Sequence, residues 1–240
     1  MSPSPCPDDS LLEAYLLGEI ELERCVALQR QLVAEASVRG DGRIRVLLCE
    51  HPQIVTVGRS GSPGHIAYEA GPLRSGQLEV RWVKRGGGCL VHGPGQLAVY
   101  PIVPLGDWGW TVGEYVRRFE SAIHQALEAL KIRCEIRTPA AGLWGRTGQL
   151  VSFGISVSNW VTFHGAFINV CPSMGMARLV DCDPLGDWRM STLVAERGQP
   201  VKMTSVRAEV VRRLADEFAC SRYHLQTGHP WLRRPQALVH

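Results

Sequence analysis

The sequence lacks the features that mark membrane, exported and nucleic-acid-binding proteins. No apolar run approaches the roughly 20 residues that a membrane-spanning helix needs. The formal net charge of +3 is too small to predict binding to nucleic acid. Residues 1–9 have neither the basic start nor the apolar core of a signal peptide. We therefore expect a cytoplasmic protein with no membrane partner and no nucleic-acid partner.

Signatures of common cofactors are also missing. The eight cysteines include no Cys-x-x-Cys pair, which argues against a zinc ribbon and a thioredoxin-type site. The glycines at 86–88 are not followed by Gly-Lys-Ser/Thr, so they do not predict a Walker-type phosphate loop. The weak metal candidates are the pair Cys89 and His92, and the cluster of Asp181, Cys182 and Asp183 with Cys171. We therefore predict a protein without a metal or cofactor.

The bulk properties indicate one globular domain. The 240 residues, of which 45% are hydrophobic and 20% charged, are enough to bury a sizeable core. We predict a disordered lead at 1–9, the domain at 10–220 and an irregular tail at 221–240. The apolar spacing predicts helices at 10–36, 111–130 and 206–218, and strands at 43–49, 54–57, 80–83, 97–103, 132–136, 150–158 and 160–170. Strands with few helices predict the α+β class, here a mixed sheet flanked by helices.

The segment that begins at Leu150 alternates strictly between apolar and small residues. Val151 and Phe153 alternate with Ser152 and Gly154, and the pattern continues to residue 158. A period of two predicts a strand with one apolar face and one face of small residues. That second face is either solvated, which is the common case, or it leaves room for a ligand lying across the sheet.

The most informative segment runs from Arg85 to Pro101. Three glycines follow Arg85, and a Gly-Pro-Gly turn separates His92 from Gln96. Glycines permit positive φ and a close approach of the backbone to another surface. Apolar runs on both sides predict a strand-loop-strand unit. By these residues alone, the segment is a backbone cradle for an elongated ligand, with one Arg, one His and one Gln as polar groups.

This segment resembles the Arg-Gly-Gly…His-Gly-Pro-Gly-Gln…Tyr-Pro signature of the octanoyltransferase (lipoate-protein ligase B) family. The other matching segments are 48–52, 56–59, 142–144, 163–170, 178–182 and 191–193. The resemblance implies the fold of the biotin and lipoate protein ligase catalytic domain. It also implies octanoyl transfer, in lipoate biosynthesis, from acyl carrier protein to a lysine of a lipoyl domain through a cysteine thioester.

The resemblance also assigns site residues. Cys182 would be the nucleophile, and Gln149 stands where the family has its catalytic lysine. The residues that would line the substrate tunnel are Arg85, Gly86, Gly87, Gly88, Cys89, Leu90, Val91, His92, Ser152, Phe153, Gly154, His164, Gly165, Ala166 and Phe167. A narrow apolar slot suits an acyl chain, because each buried CH₂ contributes ~0.8 kcal/mol.

Three departures from the family pattern touch this site. Gln149 carries no charge that could favour the thiolate, and Asp181 and Asp183 beside Cys182 oppose its ionisation. Leu90 replaces a threonine. The alternatives that remain open are His164 or His92 as a base, Lys84 as a substitute cation, a homologue that binds an acyl or lipoyl-like ligand without turnover, and an ATP-dependent lipoate or biotin ligase.

Overall fold

The computed structural model describes residues 10–66, 74, 78–137, 142–175, 180 and 190–232. In chain order, its strands and helices are β1 (Leu11–Glu19), α1 (Leu22–Arg39), β2 (Ile44–Glu50), β3 (Ile54–Val57), β4 (Glu79–Trp82), β5 (Cys89–His92), β6 (Gln96–Ile102), α2 (Leu105–Trp108), α3 (Val112–Ala129), β7 (Glu135–Arg137), β8 (Gly142–Gly145), β9 (Gly148–Ser158), β10 (Val161–Asn169), α4 (Leu193–Arg197), α5 (Met203–Glu217) and β11 (Arg222–Thr227).

Eight of the described strands form one mixed sheet in the order β11-β1-β2-β6-β10-β9-β8-β7. The pairs from β11 to β2 are parallel, and those from β2 to β7 are antiparallel. A second sheet places β3 between β4 and β5. The predicted α+β fold with a mixed sheet flanked by helices is confirmed.

Both faces of the large sheet are covered. On one face α3 and α5 pack against each other, and Phe119 and Leu214 join the core there. On the other face α1 packs on β6 and β10, where its Leu28 contributes to a cluster with Tyr100 and Phe167. The three-stranded sheet and residues 85–88, which we call the glycine loop, also lie on this second face, beside α1.

The helix predicted at 111–130 is confirmed as α3. Its buried residues Tyr115, Phe119 and Ile123 recur at intervals of four and form one apolar stripe. The helix begins after Thr111, whose side chain and backbone N–H exchange hydrogen bonds with Glu114 in a capping box. Like the other helices in the described residues, α3 is not long and apolar enough to cross a membrane.

The predictions for the two ends of the domain are wrong. The helix expected from residue 10 begins only at Leu22, because Leu11–Glu19 is a strand between β2 and β11. Parallel strands that are covered on both faces carry no strict alternation, so their apolar spacing can imitate a helix. The tail expected to be irregular contains β11, whose residues are all exposed and which pairs with β1.

The strand-loop-strand unit around the glycine loop is also arranged differently from the prediction. β4 and β6 do not pair; β4 joins β3, whereas β6 lies between β2 and β10. The chain forms β5 between them, in a stretch that the sequence assigned to a loop. The predicted turn between His92 and Gln96 is confirmed, since Gln96 N–H donates to Gly93 O at 3.1 Å and Gly95 has φ +88°.

Candidate functional site

The glycine loop is held between a turn after β3 and the strand β9. Gly58 N–H donates to Gly88 O at 3.0 Å on one side, and Gly86 N–H donates to Ile155 O at 3.1 Å on the other. A Cβ at Gly58 would lie 2.4 Å from Gly87 O. Glycine is therefore required on both sides of this contact, because any side chain at Gly58 would push the loop away.

The small-residue face of β9 packs against this loop and is not solvated. A Cβ at Gly154 would lie 3.0 Å from both Arg85 Cδ and Gly86 O. Two residues further, Ser156 Oγ donates a hydrogen bond to Lys84 O. The alternation predicted for β9 is thus confirmed, and the reason for its small residues is the close approach of the loop.

Arg85 is the centre of a buried polar network. Its side chain is 1% exposed, and it donates to Thr56 Oγ1 from Nη2 at 2.7 Å and from Nε at 3.2 Å. Since Thr56 Oγ1 accepts these bonds, its own proton is directed to His92 Nε2 at 2.8 Å. The threonine hydroxyl therefore connects the guanidinium group to the histidine, and it fixes the tautomer of His92.

The network continues from β5 across β6 and β10 to β9. His92 Nδ1–H donates to Gln96 Oε1 at 2.8 Å, and Gln96 Nε2 donates to Asn169 Oδ1 at 2.9 Å. Asn169 Nδ2 in turn lies 3.5 Å from Gln149 O. Sequence reasoning placed Thr56 and Asn169 in matching segments but did not assign them to the site, because their contacts join strands far apart in the chain.

Both site histidines are neutral and weakly basic. Burial, with the nearby Arg85 guanidinium, holds the pKa of His92 well below its usual value, and both of its ring nitrogens are hydrogen-bonded. Burial lowers the pKa of His164 to about 3, with further contributions from Arg85, Arg30 and Arg59. His164 has φ +54°, and its N–H donates to Gln29 Oε1 at 2.7 Å. A histidine with these properties positions its neighbours well and accepts protons poorly near pH 7.

Gln149 is buried at the start of β9, with 2% of its surface exposed. Its Oε1 accepts from Ser152 Oγ at 3.1 Å, and its Nε2 has no hydrogen-bond partner among the described residues. Segment 181–189, which includes the predicted nucleophile Cys182, lies outside the described residues. Where the described chain resumes, Met190 pairs with Gln149, and Ser191 N–H donates to Gln149 O at 2.9 Å. The family lysine position therefore adjoins the end of the segment that contains Cys182.

The structure separates the other predicted lining residues by the face on which they lie. Leu90, His92 and Phe167 share the face that holds the network. Phe153 and Ala166 pack in the core beside α3, so their side chains point away from the glycine loop.

Three other predicted lining residues also have structural roles. Cys89 and Val91 belong to the separate core of the small sheet, on the strand face opposite His92, which makes the Cys89 and His92 pair unsuitable for one metal ion. Gly165 is required by packing, because a Cβ there would lie 2.1 Å from Val99 O. Lys84, the candidate substitute cation, is exposed at the end of β4.

Two cavities lie at opposite ends of the segment 84–92. A groove of about 820 Å³ is bounded by α1, the end of β4 and the β9–β10 turn, with Val26, Phe163 and Lys84 in its wall. A smaller cavity of about 130 Å³ borders His92 and Met190.

Comparison with known proteins identifies relatives over most of the chain. Residues 22–215 match the lipoyl protein ligase A/B catalytic domain. The chain is 35% identical over 207 residues to an octanoyltransferase from Geotalea uraniireducens, with 84% of this chain and 92% of the relative covered. It is 32% identical over 212 residues to an octanoyltransferase from Chloroflexus aurantiacus, with 87% and 94% covered.

Solved structures share the fold at low sequence identity. A putative lipoate protein ligase from T. acidophilum with bound lipoic acid superimposes with a TM-score of 0.71 at 14% identity, covering 91% of this chain and 90% of that one. A lipoate-protein ligase A bound with ATP has a TM-score of 0.72 at 13% identity, with 91% and 90% covered. At these identities the likeness establishes the architecture alone.

Proposed function

The chain belongs to the lipoyl protein ligase A/B catalytic-domain family, and we propose that it transfers an octanoyl group from octanoyl acyl carrier protein to a lysine of a lipoyl domain. The observation that carries this proposal is the similarity to proteins named octanoyltransferase over more than four fifths of the chain. The proposed place of the reaction is the cytoplasm, within protein lipoylation.

The proposed relay uses Cys182 as a temporary acyl carrier. The Cys182 thiolate attacks the donor thioester, its sulfur–carbon bond forms, and the bond to the carrier sulfur breaks. The departing carrier thiolate takes up a proton. The neutral amine of the acceptor lysine then attacks the Cys182 thioester, an amide forms, and Cys182 leaves as thiolate. The amine releases one proton, and no oxidant or cofactor is consumed.

We propose that the acyl chain follows the glycine loop between the two cavities. The loop backbone, Leu90, Phe167 and the backbone of β9 and β10 would surround it. The seven carbons beyond the carbonyl contribute about 5 kcal/mol when they are fully buried. His92 and His164 would shape this path as neutral groups, because their pKa values lie well below neutral pH.

Gln149 determines the pH range in which the relay works. A cysteine without a neighbouring cation has a pKa of about 8.5, so only a few per cent is thiolate at pH 7. Because Gln149 is uncharged and Asp181 and Asp183 flank Cys182, we expect the transfer rate to rise with pH up to at least that value.

A non-catalytic role is the second candidate function. It is favoured by one observation: at the family lysine position Gln149 has an uncharged amide, and the two neutral histidines are poor bases. In this case the protein would bind an acyl or lipoyl-like ligand without turnover.

Mass spectrometry of the intact protein distinguishes the candidates. After incubation with octanoyl acyl carrier protein, we expect one octanoyl group on the wild type and on Cys171→Ser, whose thiol is exposed, and none on Cys182→Ser. Addition of a lipoyl domain should then remove the adduct and modify the domain. Binding of octanoate without any adduct would support the non-catalytic role, and an octanoyl-adenylate formed from ATP would support an ATP-dependent ligase instead.

A further inference from the structure

Two cysteines and a histidine meet beneath α1, outside the path proposed for the acyl chain. Cys25 belongs to α1, Cys49 to β2, and His51 follows β2. Cys25 and Cys49 are 0% exposed and His51 is 2% exposed. Their sulfur and nitrogen atoms all lie within 4.8 Å of one another. This cluster could not be predicted from the sequence, because the residues have no regular spacing and are brought together by the packing of α1 on the sheet.

The separations of these atoms fit one tetrahedral metal ion. The two sulfur atoms are 3.9 Å apart, and Cys49 Sγ lies 3.7 Å from His51 Nε2. Zinc binds thiolate sulfur at about 2.3 Å and imidazole nitrogen at about 2.0–2.1 Å, so the edges of its tetrahedron measure about 3.8 Å between sulfurs and about 3.6 Å between sulfur and nitrogen. These two separations agree with the edges within about 0.2 Å, and the third pair, Cys25 Sγ and His51 Nε2, lies within 4.8 Å.

The orientation of His51 also suits a metal ligand. Its Nδ1–H donates to Ile20 O at 2.7 Å, so Nε2 carries the lone pair, which accepts from the Tyr100 hydroxyl at 2.8 Å and lies 3.7 Å from Cys49 Sγ. A ligating histidine commonly has its second nitrogen fixed by a carbonyl in this way. An ion bound to Nε2 would displace the hydrogen bond from Tyr100, which leaves the Tyr100 oxygen free to act as a fourth ligand.

A hydrogen-bond donor supports the sulfur on the other side of the cluster. Gln29 is fully buried, and its Nε2 lies 3.7 Å from Cys25 Sγ. The orientation of this amide is fixed, because its Oε1 accepts the backbone N–H of His164 at 2.7 Å. An N–H group directed at sulfur stabilises a thiolate.

From this geometry we propose that Cys25, Cys49 and His51 bind one zinc ion in a structural site. Binding a divalent ion displaces two protons to solvent, and the two thiolates balance its charge. The ion would fasten α1 to β2 and take no part in acyl transfer.

The test is metal analysis of the full-length, reduced protein. After zinc loading and removal of loosely bound ions, we expect one zinc per chain in the wild type and in Cys89→Ala, which lacks a different buried thiol. Cys25→Ala and Cys49→Ala should each lose the ion, while circular dichroism verifies that they are folded. A site that depends on Cys89 or Cys171, or the absence of stoichiometric zinc in the wild type, would overturn the proposal.

A measurement on the unmutated protein avoids dependence on variants that fail to fold. Cobalt substituted for zinc should give thiolate-to-cobalt charge-transfer absorption in the near ultraviolet and the visible bands of tetrahedral cobalt. Zinc should abolish both signals at one equivalent. Cobalt that binds without thiolate absorption would contradict coordination by Cys25 and Cys49. Neither result depends on the proposed acyl transfer, whose own assay is the octanoyl adduct on Cys182.

Discussion

Replacement of Thr56 by valine tests whether the polar network holds the glycine loop in place. Valine has nearly the shape of threonine, so the variant removes one hydroxyl and leaves packing unchanged. That hydroxyl accepts from Arg85 at 2.7 and 3.2 Å and donates to His92 Nε2 at 2.8 Å. All three side chains are at most 2% exposed, so water does not replace the lost bonds.

The magnitude follows from what the hydroxyl leaves behind. A hydrogen bond to a charged group contributes about 1.5–3 kcal/mol, and an unsatisfied buried acceptor costs about 1–3 kcal/mol. Arg85 retains its bonds to Thr56 O at 3.0 Å and Gly86 O at 3.0 Å, which limits the loss. We expect Thr56→Val to lower the free energy of unfolding by about 3 kcal/mol, a large part of the 5–15 kcal/mol typical of native proteins.

Equilibrium unfolding in urea measures this difference. Thr56→Ser is the matched control, because it keeps the hydroxyl and removes one methyl group, for an expected cost of about 1 kcal/mol. The nitrogen chemical shifts of the His92 ring provide a second readout, since the tautomer is no longer fixed in the valine variant. If valine and serine cost the same, or if valine costs less than about 0.5 kcal/mol, the hydroxyl does not organise the site.

Three further predictions concern packing, pH and the lysine position. Gly165→Ala places a Cβ 2.1 Å from Val99 O and should strongly destabilise the fold. Gly113→Ala in α3, where a Cβ meets nothing within 4 Å, should stabilise the fold by about 0.5–1 kcal/mol. Equal urea midpoints for the two variants would contradict the packing argument. His164 is neutral in the folded protein down to a pKa of about 3, but it is protonated in the unfolded chain below about pH 6.5. The free energy of unfolding should therefore fall with decreasing pH below about 6.5, by about 1 kcal/mol per pH unit for this group. His164→Asn should reduce this pH dependence. If urea titrations of the variant show the same pH dependence as the wild type, buried His164 is not its cause. Gln149→Lys should shift the pH–rate profile of octanoyl transfer to lower pH by about one unit or more, because a cation favours the thiolate; coincident profiles would show that residue 149 does not act on the nucleophile.

The parts of the fold that were predictable are those where one face meets the core and the other does not. Helix α3 shows an apolar stripe because only one side of it is buried, and β9 shows a period of two because one face packs in the core while the other, made of small residues, meets the glycine loop. β1 is enclosed between two parallel neighbours, so its apolar residues follow no strict period. β11 pairs with β1 and all of its residues are exposed, so no buried apolar face marks it in the sequence.

The site was predictable as a set of segments but not as a set of contacts. Three glycines indicated a close backbone approach, and the structure supplies the partner at Gly58 and Gly154. Thr56 could not be assigned from sequence, because its hydroxyl acquires a role only when β3 pairs with β5 and presents it to Arg85 and His92.

A charge at residue 149 changes the rate of acyl transfer less than it changes the thiolate fraction of the nucleophile. The size of the rate difference between the wild type and Gln149→Lys therefore distinguishes a slow enzyme from an inactive one. Raising a thiol pKa by one unit lowers the thiolate fraction at pH 7 about tenfold. The same change makes each thiolate about threefold more nucleophilic, if acyl transfer follows the Brønsted slope of ~0.4–0.5 for thiolate attack on disulfides. The net loss is about three- to fourfold per unit, or roughly tenfold for a two-unit difference. Above the pKa of both proteins, where ionisation is complete, the order reverses and wild-type Gln149 should outpace Gln149→Lys. If the two pH–rate profiles cross, residue 149 acts by setting the pKa of the nucleophilic thiol. A wild type slower than Gln149→Lys by far more than tenfold at every pH would mean that the lysine acts by positioning the acyl group, and that its absence leaves a binding protein.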